Sequence, residues 1–168
     1  VIKTDQVSYY GPTSVFIRNG KHDSSTAATH AADFEALVHL DGFKEVMCNS
    51  AGYVKPIVII TVDGGPHKNP WYPKTLHAEY NAFRENNLNA LFVACHAPGH
   101  SAYNAVDRRM APLSHDLSGL IWQHDHYRSH LDSNGKTVDS DLEKANFKKA
   151  GEALAEVWNP TVIDGYSV

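Results

Sequence analysis

Ile57-Val58-Ile59-Ile60-Thr61-Val62-Asp63-Gly64-Gly65-Pro66 is an apolar, β-branched run that ends in an acid and stops at a turn signal. It reads as a buried strand, entered after Lys55-Pro56, that delivers the Asp63 carboxylate at its carboxyl end. Its near-continuous apolar character suits a strand covered on both faces. Ala90 to Cys95 reads as a second buried strand. Between the two, about Thr75 to Asn87 carries Leu76, Tyr80 and Phe83 at helical spacing, with Lys74, Glu79, Arg84 and Glu85 mostly outward. Strand, helix, strand predicts a right-handed parallel crossover, so both carboxyl ends fall on one edge of the sheet. Asp63 should then lie close to the loop that follows Cys95.

Working outward, Ser14 to Ile17 reads as a short strand between Gly11-Pro12 and Asn19-Gly20. From Ser24 or Ser25 the period becomes helical, with Ala27, Ala31, Phe34 and Val38 on one face. A last helix starts with Ser140 and Glu143 in the spacing of a capping box and buries Phe147, Ala150, Leu154 and Val157. The fold class expected is α/β, a mixed sheet flanked by helices. No repeat, low-complexity stretch or linker divides residues 1–168, so they are read as one domain. A 42% hydrophobic content gives that domain enough material for a core.

Lys+Arg 15 against Asp+Glu 19 gives a net charge of -4. That excludes an overall basic footprint, and a nucleic-acid partner would have to be met by a local patch. Cys48 and Cys95 are the two cysteines, which argues for a reducing compartment without a disulfide framework. The sequence shows no signal peptide and no apolar run long enough to span a bilayer, so no membrane partner is expected. Val1 rather than Met at the start is the mark of a processed chain or of a piece of a longer protein.

The second informative stretch is His96-Ala97-Pro98-Gly99-His100-Ser101-Ala102-Tyr103-Asn104-Ala105-Val106-Asp107, a strand exit, a polar loop and a helix bearing another acid. A hard cation such as Mg2+ takes oxygen ligands, so one or two carboxylates hold it and leave positions for water and phosphate. Asp63 and Asp107 are therefore candidate metal ligands and candidate catalytic residues. The other reading is structural, with Asp63 capping the Gly64-Gly65 turn and Asp107 pairing with Arg108 or Arg109. Both remain open at this level.

Pro98, Ser101, Asn104 and Asp107 stand in the spacing of a signature that resembles mariner-like and related transposases. There a Pro, a Ser, an Asn and a catalytic Glu or Asp follow a buried strand. The strand ending at Asp63 resembles the segment bearing their second acid, and Asp107 that bearing the third. More broadly, the chain from Tyr10 onward is similar to transposon-derived animal and fungal proteins, which carry Glu-Arg-Arg-Met where Asp107-Arg108-Arg109-Met110 stands here. The resemblance implies a ribonuclease H-like fold, DNA as partner, and DNA cleavage or strand transfer with Mg2+ or Mn2+. It also implies an intracellular, nuclear location and leaves room for a homo-oligomer.

The match is incomplete. Ser14 to Ile17 precedes the first helix and so corresponds to the third strand of that fold, which puts the first strand and its acid upstream of Val1. Asp5 and Asp23, the early candidates, do not end an apolar run. The stretch between the two acids is also longer than in mariner-type elements. These 168 residues are thus expected to be a partial or domesticated copy, impaired as a nuclease on their own.

Other groups compete for function. His124, His126 and His130, with Asp125 and Asp132 nearby, form a cluster that would suit Zn2+ or another transition metal if the segment were helical. Ser133-Asn134-Gly135 argues instead for a loop, in which the imidazoles are exposed or paired with carboxylates. His124 or His126 could also reach the acid site and assist in activating water. His96 and His100 flank the same loop, with His96 more simply ending a strand and bonding within it. Trp71 beside Asp63 is a candidate to stack on a base, or a packing anchor. Arg108 and Arg109 are candidate phosphate contacts, or the polar face of a helix that buries Val106, Met110 and Leu113.

Overall fold

The computed structural model of the protein describes residues 10–65, 67–97, 99 and 104–168. Two parallel strands, β1 (Ile57–Val62) and β2 (Ala90–Cys95), are joined through the helix α3 (Pro73–Glu85). Their register runs from Ile57 opposite Ala90 to Val62 opposite Cys95, so the two carboxyl ends are level. The strand bounds match those expected from the apolar runs. The sheet does not match: β1 and β2 form a two-stranded parallel sheet, separate from a short antiparallel hairpin, β3 (Val162–Ile163) with β4 (Tyr166–Ser167). Among the described residues no single mixed sheet forms.

Burial also differs from expectation. Val58, Ile60 and Val62 turn inward while Ile57 and Ile59 stay 59% and 68% exposed, and Phe92 opposite Ile59 is also exposed. One face of the sheet is covered and the other open. Residues Ser14 to Ile17, expected as a strand, do not form one, because a strand requires a paired neighbour and this segment has none among the described residues.

Helix α1 (Ala27–His39) starts at Thr26, whose side chain accepts from the Thr29 N–H while the Thr29 hydroxyl accepts from the Thr26 N–H. It is followed by α2 (Asp41–Met47) and packs against α3. On α3 the large residues Leu76 and Tyr80, expected inward, are exposed, and the buried positions are Thr75 and Ala82. Small residues face α1 because they let the two helices approach. Helix α4 (Ala105–Arg109) breaks at Met110 and continues as α5 (Ala111–Asp116), where Leu113 is 1% exposed. Val106, expected to be buried, is half exposed.

The long carboxyl-terminal helix α6 (Ser140–Trp158) is capped by Asp139, whose carboxylate accepts from the Leu142 N–H at 2.9 Å. The expected capping box at Ser140 and Glu143 is not formed, because Glu143 is buried and its carboxylate serves elsewhere. It accepts from Lys21 Nζ at 2.6 Å and the Thr137 hydroxyl at 2.7 Å, and lies 2.6 Å from His22 Nε2. These bonds, led by that from Lys21, hold the Glu143 carboxyl down at about 2. Asn146, fully buried one turn later, accepts from the Tyr127 N–H and donates to the Arg128 carbonyl and to His130 Nδ1. The loop from Gln123 to Asn134 is thereby pinned to α6. Among the described residues no helix is long and apolar enough to cross a membrane.

Candidate functional site

Asp63 follows the last residue of β1, and the chain must turn at once to clear the neighbouring strand. Gly64 does this at φ +78°, where a Cβ would meet the His96 carbonyl at 3.8 Å and Cys95 Cβ at 3.9 Å. The His96 N–H donates to the Val62 carbonyl at 3.0 Å, extending the ladder by one bond at this rim. The Asp63 side chain accepts one bond, from the Gly65 N–H at 3.3 Å. The structural reading of Asp63 as a turn residue is therefore present, and it occupies only Oδ1.

Asp107 lies in the first turn of α4. That helix is started by Asn104, whose side-chain oxygen accepts from the Val106 N–H at 3.1 Å. Asp107 is exposed and has no hydrogen bond or ion pair among the described residues. It does not pair with Arg109, whose donors go to the Thr13 hydroxyl at 2.7 Å, to Asp164 at 2.6 Å and to the Gly11 carbonyl. Arg109 is thus committed to holding the amino-terminal segment, and neither it nor Arg108 lines the cavities below.

Asp63, Asn104 and Asp107 line the same two spaces. One is an inner cavity of about 380 Å³ bounded by α1, α3 and the inward residues Ile60 and Val62. The other is an outer cleft of about 680 Å³ that adds Asn69, Trp71, Cys95 and His96. Both acids, expected at one rim of the sheet, are thus in the lining of both spaces. Trp71, 89% exposed, stands on the outer cleft, its backbone N–H donating to the Asn69 side-chain oxygen at 3.0 Å. Pro98 and Ser101 of the signature, and the candidates His100 and Asp5, lie outside the described residues. Asp23 lies 3.9 Å from Arg18, away from both acids' cavities.

The three histidines of the 124–130 cluster have different surroundings. His130 is buried, with Nδ1 bonded to Asn146 and Nε2 3.5 Å from Glu143. The His124 ring lies 6.3 Å from that of His130, edge on, and His126 packs edge on to Tyr127. None of these three histidines lines either cavity, and among the described residues no three of His, Cys, Asp or Glu converge as a metal-binding group. His96 lines the outer cleft at the strand exit.

Four residues of the inner cavity escaped the sequence reading: His30, Asp33, Thr75 and Glu79. Arg18 grips the Asp33 carboxylate, which lies 3.7 Å from His30 Nδ1. Burial, then nearby Lys68, lowers the His30 pKa, and burial raises that of Glu79. Thr75 is 2% exposed, and its hydroxyl is the one buried side-chain polar atom without a hydrogen-bond partner among the described residues. The signal for Asp33 was its place one residue before the apolar Phe34 on the inward stripe of α1. Thr75 and Glu79 carried none that distinguishes them from surface helix residues.

Searched against protein-family models, curated proteins and solved structures, the chain finds no match in any of the three.

Proposed function

We propose that the chain is a ribonuclease H-like α/β domain, similar to the catalytic core of a cut-and-paste transposase. In this reading Asp63 and Asp107 hold Mg2+ or Mn2+ for cleavage or strand transfer of DNA phosphodiesters. The observation that carries the reading is their shared position. Two carboxylates, one at the end of a parallel strand and one on the helix beyond its neighbour, line the same cavity and the same cleft, and neither has an ion-pair partner among the described residues.

The donor set fits a hard divalent ion. It offers carboxylate oxygens at a solvent-reached rim, and two such ligands suffice for an ion that keeps its own waters or takes phosphate oxygens. When bound, the ion would supply activation of water or a hydroxyl and stabilisation of the leaving oxygen. The chain's own residues do the rest. Gly64 and the β1–β2 register fix the Asp63 carboxylate at the rim, and Asn104 sets the start of the helix that carries Asp107. Trp71 offers an exposed ring beside both, suited to stack on a nucleic-acid base.

Mn2+ titration of the full chain by isothermal calorimetry tests the reading. Asp63→Ala and Asp107→Ala should each weaken binding by at least tenfold while circular dichroism stays unchanged. Binding equal in all three proteins would mean that the site belongs to a non-catalytic module that retains the fold.

A further inference from the structure

We propose that the amino terminus of α3, together with the Thr75 hydroxyl, seats a phosphate oxyanion, one phosphate of a nucleic-acid strand that runs past Asp63 and Asp107. The proposal rests on the phosphodiester reading for the identity of the strand, and on separate observations for the seat.

Helix α3 has 13 residues and an unusually bare start. Its N-cap, Tyr72, provides no side-chain acceptor, its first turn has no acid, and Pro73 contributes no N–H. The first intrahelical bond is from the Leu76 N–H to the Tyr72 carbonyl at 3.0 Å, which leaves the N–H groups of Lys74 and Thr75 without a partner among the described residues. Such a terminus carries about half a positive charge and points donors at a bound anion.

Thr75 supplies the independent observation. Its hydroxyl, sealed from water and unpartnered, sits on that same first turn. A buried hydroxyl left without a bond destabilises the fold, and a ligand oxygen would remove that cost. Thr75 and His67 line both the inner cavity, shared with Asp63 and Asp107, and a side groove of about 1200 Å³ along α3. Lys68 faces the first and Lys74 the second, so cations flank the seat on both sides.

The carboxylates nearby are largely answered. Asp33 is gripped by Arg18, Glu35 accepts from Asn86 Nδ2 at 2.6 Å, and burial favours the protonated form of Glu79. Glu85 lies on the side groove, at the far end of α3 from this seat. Asp63 and Asp107 remain, and in the phosphodiester reading their charge is met by the divalent ion.

The test is a 15N NMR titration of the full chain with inorganic phosphate, in EDTA so that metal plays no part. The Lys74 and Thr75 amides should shift and saturate together. Thr75→Val should weaken binding about tenfold, as expected for one hydrogen bond to a charged group, and Thr75→Ser, which keeps the hydroxyl, should bind as the wild type does. Pentathymidylate should shift the same two amides. Shifts confined to other residues, or equal affinity in Thr75→Val and wild type, overturn the seat. If Thr75→Val does not fold, failure of Thr75→Ser to shift these amides overturns it equally. A response to phosphate but none to pentathymidylate overturns the assignment to a strand. The two readings fail separately: Asp63→Ala weakens Mn2+ binding on the first, whereas on the second it does not abolish these phosphate shifts.

Discussion

Glu143 holds a carboxylate inside the protein against the cost of desolvation, and it does so with three donors. Lys21 and Thr137 bond one oxygen and His22 the other, so the charged form is favoured and the carboxyl titrates at about 2 instead of the ordinary 4.5. With the folded value below the unfolded one, the unfolded chain binds the proton more readily. The network's contribution is complete above about pH 5 and is lost as pH falls from 4.5 toward 2. Urea unfolding across that window should show the wild type losing stability steeply, and Glu143→Gln should flatten the slope. Asn146 makes the complementary case for a neutral group. All three of its bonds reach the 127–130 loop, so Asn146→Ala leaves buried partners unmatched and should cost about 1–3 kcal/mol by urea unfolding. Neither role was legible in the sequence. Glu143 sits three residues after Ser140, a pattern that local chemistry reads as a capping box, and only the approach of Lys21 and His22 from far along the chain redirects it.

At the scale of elements, what was legible is what local pattern determines. The bounds of β1 and β2 follow from apolar runs cut off by Pro56 and by Gly64-Gly65, and the start of α1 follows from its period. What failed depended on neighbours. Ser14 to Ile17 has strand composition but no paired neighbour among the described residues, and the open face of the sheet leaves Ile57, Ile59 and Phe92 in water. On α3 the size of Leu76 and Tyr80 pointed inward, whereas close helix packing selected Thr75 and Ala82. Arg109 shows the same dependence: read as a phosphate contact, it ties α4 to the Gly11–Thr13 segment and to Asp164 in the β3–β4 turn. Arg109→Ala should therefore lower stability by about 1–3 kcal/mol, measured by thermal or urea unfolding. Its effect on Mn2+ affinity should be small. Leu113→Ala, at the most buried apolar side chain of α5, should cost about 2–5 kcal/mol in the same assay.

Over the whole molecule, the placement of the two acids followed from topology. A parallel crossover levels the two strand ends, and the chain leaving each one contributes an acid to the same rim: Asp63 directly, Asp107 through the Asn104-capped helix. The sequence carried that logic because strand order and the rule for parallel connections are local and general. It did not carry the inner cavity, whose walls come from α1, α3 and β1 together, nor the burial of His130, which Asn146 draws into the α6 network. In the proposed function Asp63 and Asp107 share one divalent ion. Anomalous diffraction from a crystal of the chain soaked in Mn2+ should show a peak within coordination distance of a carboxylate oxygen from each residue. A peak elsewhere, or carboxylates too far apart to meet a common ion, would contradict it.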